Sequence, residues 1–200
     1  MKIGERALDP ALGPWRMAST GTAHEGEVQL GYKLVETAGA SGAEGVVLAR
    51  GLLSERDFKC LLGHAGHVGL ASVGAVLNEE DVALFETMDV PALRLVDAEA
   101  SPHLAVACRT GRPLVLSLAR DEILGAERVI LACRSAGASD FALLVADPRM
   151  MEAWQARWPG VPMGLLDSQL SPEELRASHA AVVETEIRLP VSRVSWRNQS

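Results

Sequence analysis

The chain has 200 residues, 48% hydrophobic and 22% charged, which suits one globular domain with a buried core and excludes intrinsic disorder. Its net charge of −7 excludes general electrostatic attraction to nucleic acid or to an anionic membrane surface. Cys60, Cys108 and Cys133 are widely separated and odd in number, as expected of buried thiols in a reducing compartment rather than of a disulfide framework. The opening MKIGERALDPALGPWR carries charges and prolines and no apolar leader, and no run approaches the ~18 apolar residues of a membrane span. A cytoplasmic protein is expected.

After a lead segment over residues 1–16, short apolar runs alternate with longer helical patterns. The first run, Met17–Thr20, precedes a helical face built from Val28, Leu34, Val35 and Ala38. Gly45–Ala49 follows, then a helix around Leu53–Leu62, then Val68–Ser72. Asn78 is a predicted N-cap, with Glu79 and Glu80 in the first turn of a helix carrying Val82, Phe85 and Met88. Ala92–Val96 and Leu114–Leu118 are the next two runs. A helix over Ile123–Ala136, the run Phe141–Val145, and a helix over Pro148–Trp158 come next; the Met150, Met151, Trp154 and Trp158 stripe of the last suits a core or a homodimer interface. Pro162–Leu166, a helix opened by Ser171-Pro172-Glu173-Glu174, and Val182–Ile187 complete the series. Glycines at 42, 66, 111 and 137 are placed to end helices in the left-handed conformation.

Runs of this length are expected to be strands buried on both faces, and parallel neighbours need helical crossovers. Eight units in series predict an α/β fold, a single compact (β/α)₈ TIM barrel over residues 17–190, with a tail over 191–200. Neither a glycine-rich dinucleotide loop nor a P-loop occurs, and no cofactor is expected.

Several phrases resemble the N-acetylneuraminate (sialic acid) synthase family: HEGEVQL at 24–30, ASGAEGVVL at 40–48, FETMDVPALRL at 85–95, RTGRPLVLS at 109–117, GVPMGLLDS at 160–168 and VVETE at 182–186. The resemblance implies a barrel that condenses phosphoenolpyruvate with an N-acylated sugar, using a divalent metal held by two histidines. At the corresponding positions stand Val145, which has no donor atom, and Ser168, a poor ligand, so no metal site is expected. Ser19 replaces the family's strand 1 glutamate, Val47 and Arg94 replace two lysines, and Thr185 and Glu186 replace a lysine and a histidine. His24, Glu99, Ser117, Asp167 and Glu184 match the family pattern. The family's small antifreeze-like domain has no counterpart in these 200 residues.

Barrel sites form at the C-terminal ends of the strands. The candidate catalytic residues are His24, Glu99 and Glu184. The candidate ligand-binding residues are Arg50, Arg94, Ser117, Arg120, Arg149, Asp167 and Glu186. Alternation along its strand puts Arg94 on the face of Val96 and opposite Leu93 and Leu95; if that face is the interior, Arg94 is a charge inside the barrel that either meets a substrate anion or pairs with Glu184 or Glu186. His64 and His67 are read as flanking a turn at the strand-entry end, and His103 and His179 as helix residues.

Three functions remain open. One is a divergent barrel that binds a small anion or sugar acid with the condensation chemistry lost. The second is an active metal-independent aldolase or phosphoenolpyruvate-dependent C–C bond-forming synthase. The third is a structural or regulatory pseudoenzyme partner of another subunit, which an apolar outer patch and a filled mouth would favour. With the histidine pair replaced, calorimetric titration with Mn²⁺, Mg²⁺ or Zn²⁺ is expected to show no site tighter than about millimolar; a micromolar site would place the metal ligands elsewhere in the sequence.

Overall fold

The computed structural model describes residues 1–118, 120, 122–166, 178 and 180–187. Eight strands close into an all-parallel barrel: β3 (Trp15–Ser19), β4 (Gly45–Leu48), β5 (Ala71–Ala75), β6 (Ala92–Leu95), β7 (Leu114–Ser117), β8 (Phe141–Val145), β9 (Met163–Leu166) and β10 (Val182–Glu186). Closure comes from β10 lying beside β3, with Val182 opposite Trp15 and Glu184 opposite Met17. Six α-helices lie among the described residues: α1 (Val28–Ala40), α2 (Glu55–Val68), α3 (Glu79–Thr87), α4 (Leu104–Arg109), α5 (Ile123–Ser135) and α6 (Pro148–Arg157). The helix expected at Ser171 and the tail over 191–200 lie outside the described residues.

Alternation along the strands builds two separate cores. Val46, Leu48, Leu93, Leu95, Leu116, Leu143, Val145 and Leu165 face outward and pack under the helices. Met17, Val47, Val73, Ala92, Val115, Ala142, Leu144 and Val182 fill the bore. Met151 and Trp154 belong to the outer core, and Trp154 meets Trp158 edge-on at 5.9 Å, so the α6 stripe is packing inside this chain.

The lead is more ordered than its proline and glycine content suggests. β1 (Lys2–Ile3) and β2 (Arg6–Ala7) form an antiparallel hairpin around Gly4, whose φ of 59° is the left-handed turn that glycine permits. Ile3 and Leu8 join Trp15 and Met17 in the inner core, so the hairpin plugs the strand-entry end of the bore.

Two expected boundaries are corrected. The third barrel strand is Ala71–Ala75 rather than Val68–Ser72, because α2 continues through Val68 and ends at Gly69 (φ 85°), not at Gly66. His64 and His67 therefore lie inside α2 rather than around a turn; His64 stacks on Tyr32 and stands 3.3 Å from Glu36. Cys60 is exposed on α2, whereas Cys108 of α4 and Cys133 of α5 are buried against each other. The hydrogen bond between these two thiols holds Cys108 below the usual thiol range and, together with burial, pushes Cys133 above it.

Close packing in the bore depends on missing side chains. A Cβ on Gly45 would lie 2.3 Å from the Trp15 ring, whereas nothing stands within 4 Å of one on Gly63. Gly45→Ala is expected to cost about 1–3 kcal/mol in urea denaturation through overpacking. Gly63→Ala, inside α2, is expected to be stabilising by up to about 1 kcal/mol. Equal effects would contradict the packing of Trp15 across β4.

Candidate functional site at the barrel mouth

Arg94 on β6 is 3% exposed and reaches across the bore. In strand order β6 is four places from β10 in a ring of eight, so the two strands face each other across the barrel axis. Arg94 Nε donates to Glu184 Oε2 on β10 at 2.7 Å, and Nη2 donates to Ser117 Oγ on β7 at 3.1 Å. Nη1 donates to the carbonyl oxygen of Leu95. Each guanidinium nitrogen thus has a protein acceptor. The interior position and the Glu184 partner agree with strand alternation; the extra acceptors Ser117 and Leu95 require the folded barrel.

His24 follows β3 and is buried. Its Nδ1 accepts from Gly26 N at 3.1 Å, which places the proton on Nε2, and Nε2 donates to the Ala49 carbonyl at 2.9 Å. Both ring nitrogens therefore bind backbone, tying the β3–α1 loop to the end of β4. Glu99 pairs with Arg128 of α5, and its carboxylate lies over Gly125, on the helix side of the wall. His24, Glu99 and Glu184 thus each have their own partners: backbone for His24, Arg128 for Glu99 and Arg94 for Glu184.

Of the rim arginines, Arg120 shares with Glu99 a separate pocket of about 400 Å³, lined also by Asp97 and Glu122. Arg120 and Arg149 are exposed and sit 3.7 Å from Glu122 and 3.8 Å from Asp147. Arg50 is partly buried beside Asp81 at 3.5 Å and Glu80 at 3.7 Å, contacts longer than a good hydrogen bond. Glu186 is exposed at the end of β10. Asp167 and Ser168 lie outside the described residues, as do Arg188 and His179.

Beside His24 the loops after β3, β4 and β5 enclose a cleft of about 510 Å³. Thr22, His24, Gly51, Leu52, Asn78 and Asp81 are among its lining residues. Asp81 is fixed by a capping box: Asn78 Oδ1 accepts from Asp81 N at 2.9 Å, and Asp81 Oδ2 accepts from Leu77 N and Asn78 N at 3.0 and 3.2 Å. Sequence reasoning found the Asn78 cap but not the cleft. The spacing of Asn78 and Asp81, a cap residue and an acid three positions on, was the available signal. Among the described residues no group of three or more His, Cys, Asp or Glu side chains is arranged to hold a metal ion.

No family model matches the chain. An uncharacterised protein of Methanocaldococcus jannaschii is 25% identical over 165 residues, covering 72% of this chain and 49% of that protein, so the chain spans about half the length of that relative. Among solved structures, a Bacillus subtilis spore coat polysaccharide biosynthesis protein superposes with a TM-score of 0.81 at 17% identity, over 93% of this chain and 63% of that one. The N-acetylneuraminic acid synthetase of Leptospira borgpetersenii gives 0.83 at 13% identity, over 95% and 78%. A truncated 3-deoxy-D-arabino-heptulosonate 7-phosphate synthase of Thermotoga maritima gives 0.76 at 13% identity, over 98% and 82%. These likenesses establish the (β/α)₈ fold. No helix among the described residues is long and apolar enough to cross a membrane.

Removing Arg94 would leave Glu184 inside the bore without its counter-ion. Arg94→Met is expected to cost about 3–5 kcal/mol of stability, with much of the loss recovered in Arg94→Met/Glu184→Leu. Chemical denaturation of the two single variants and the double variant measures the coupling. A single variant as stable as the wild type would mean that Arg94 does not lie in the bore.

Proposed function

We propose that this chain is a divergent sialic-acid-synthase-like barrel that binds a small sugar acid or similar anionic metabolite at its mouth, with the metal-dependent condensation chemistry lost. The observation that carries the reading is that each nitrogen of Arg94 donates within the protein, to Glu184, Ser117 and the Leu95 carbonyl. A substrate phosphate or carboxylate on the barrel axis would have to displace Glu184 from a 2.7 Å charge-assisted hydrogen bond. Val145 and Ser168 offer no imidazole to a metal that would polarise an aldehyde, and such polarisation is worth several kcal/mol in the transition state.

Binding is assigned to the cleft beside His24. Arg50 adjoins it through Asp81, and its two acidic neighbours are too distant to satisfy the guanidinium fully. A ligand carboxylate can therefore be recruited there at lower cost than at Arg94. Thr22 and Asn78 offer polar groups to sugar hydroxyls, and Leu52 supplies an apolar wall. The Leptospira synthetase was solved in complex with citrate, a small carboxylate, which supports carboxylate binding within this fold.

Phosphoenolpyruvate, N-acetylmannosamine and Mn²⁺ together are expected to release no phosphate above the enzyme-free rate. Citrate, phosphoenolpyruvate or phosphate is expected to raise the melting temperature with concentration, because a ligand that binds only the folded state stabilises it by RT ln(1 + [L]/Kd). Arg50→Ala is expected to remove that shift. Turnover would contradict the loss of chemistry, and a shift unchanged by Arg50→Ala would contradict the placement of the ligand.

A further inference from the structure

Away from the mouth and its cleft, two nucleophilic side chains meet in the wall of the barrel. Cys108 is 2% exposed and Cys133 is fully enclosed, and both belong to the outer core. Cys108 is the penultimate residue of α4, and Cys133 lies in the last turn of α5. These helices follow the neighbouring strands β6 and β7 and return along the outside of the barrel, so both last turns lie at the strand-entry end. The two helices pack on each other. The buried face of α4 is Leu104, Ala107 and Cys108, and that of α5 includes Val129, Ile130 and Cys133. Topology and facing therefore bring the two thiols together where the helices end.

Apolar burial alone raises a thiol's pKa and leaves it inert. Here the two sulfurs are made unequal. The hydrogen bond from Cys133, with the Arg109 guanidinium nearby, holds Cys108 below the usual thiol range against the opposing effect of burial. The same bond and burial push Cys133 above that range. One sulfur gains thiolate character while the other keeps its proton, which is the division between an attacking and a resolving thiol. Access is set by α4, which has six residues and a cap residue, His103, that makes no side-chain cap bond. Local opening of so short a helix admits a molecule the size of peroxide.

We propose that Cys108 and Cys133 form a redox-active dithiol that hydrogen peroxide converts to a disulfide. The Cys108 thiolate attacks one peroxide oxygen, the O–O bond breaks, and Cys108 becomes a sulfenic acid. The hydroxide that leaves takes up the proton that Cys108 had released and forms water. The Cys133 sulfur then attacks the Cys108 sulfur, the S–O bond breaks, and the Cys133 proton leaves with that oxygen as a second water. The two thiols give up two electrons, and one peroxide becomes two waters. The new bond ties α4 to α5 across β7, the strand whose Ser117 accepts from Arg94.

Peroxide treatment of the folded Cys60→Ser chain, quenched by alkylation and digested with trypsin, tests the pair; Cys60 is exposed, and its substitution removes the accessible thiol. Residues 95–109 and 129–134 are tryptic peptides that carry Cys108 and Cys133 respectively. They are expected as one linked species, lighter by two hydrogens than their sum and separated by reductant, with the near-ultraviolet circular dichroism of the chain retained. In the same background Cys108→Ser is expected to slow modification at least about tenfold, because burial keeps the Cys133 thiol protonated. Cys133→Ser, whose hydroxyl still donates to Cys108, is expected to leave a sulfenic acid that dimedone traps. Ligand binding and turnover do not enter these readouts, so their failure is distinct from failure of the proposed function. Two separately alkylated peptides after peroxide would overturn the proposal, as would a link that forms only once urea has unfolded the chain. Modification of Cys108→Ser as fast as its parent would also overturn it, by removing Cys108 as the attacking sulfur.

Discussion

Inside this barrel a guanidinium and a carboxylate from opposite walls meet at 2.7 Å, and much of the remaining architecture follows from accommodating them. A charge in a closed bore is costly unless it is paired and hydrogen-bonded. The pair spans 90 residues of sequence, so it forms only when β6 and β10 occupy opposite sides of the completed ring. Ala92 below Arg94 on its own strand and Ala142 on β8 are small bore residues that leave it volume, and Ser117 and the Leu95 carbonyl satisfy its remaining nitrogens. At the other end Trp15, Ile3 and Leu8 fill the taper with apolar bulk. The bore is thus apolar at the strand-entry end and ionic toward the mouth, and packed in both regions.

On the proposed reading, that arrangement places ligand binding off the axis. In a barrel whose central cation is free, substrate can bind over the strand ends. Here the axis is occupied by side chains, and the cleft lies to one side, among loops held by backbone-directed contacts. His24 links two of these loops, and the Asn78–Asp81 capping box stiffens the third. The left-handed backbone at Glu25 (φ 50°) and Gly51 (φ 53°) lets these loops turn sharply beside the His24 ring. These residues shape and support the cleft, whereas its polar recognition groups are few.

The architecture was legible because most barrel strands are short, buried apolar runs and the six crossovers from β3 to β9 carry helical faces. Period-two alternation set Arg94 on the face opposite Leu93 and Leu95 and narrowed an interior partner to Glu184 or Glu186; the closed barrel selects Glu184. Errors arose where that signal is ambiguous. Val68 is as apolar as a strand residue but closes α2, because Gly66 continues the helix and Gly69 ends it. The entry hairpin has strands of two residues, too short for any periodicity, and is held by its turn and by burial of Ile3. The cleft was illegible for a different reason: its walls come from three loops far apart in sequence, and their approach depends on barrel closure. The partners of His24, Glu99 and Glu184 were not legible either, because the Ala49 carbonyl, Arg128 and Arg94 reach them only in the folded barrel.

The central claim is that Arg94 supports the barrel and does not receive ligand. A crystal structure with citrate or phosphate at saturating concentration tests it most directly. Density for the anion is expected in the cleft beside Arg50, with Arg94 still bonded to Glu184, Ser117 and the Leu95 carbonyl. An anion on the Arg94 guanidinium, with Glu184 turned away, would contradict it.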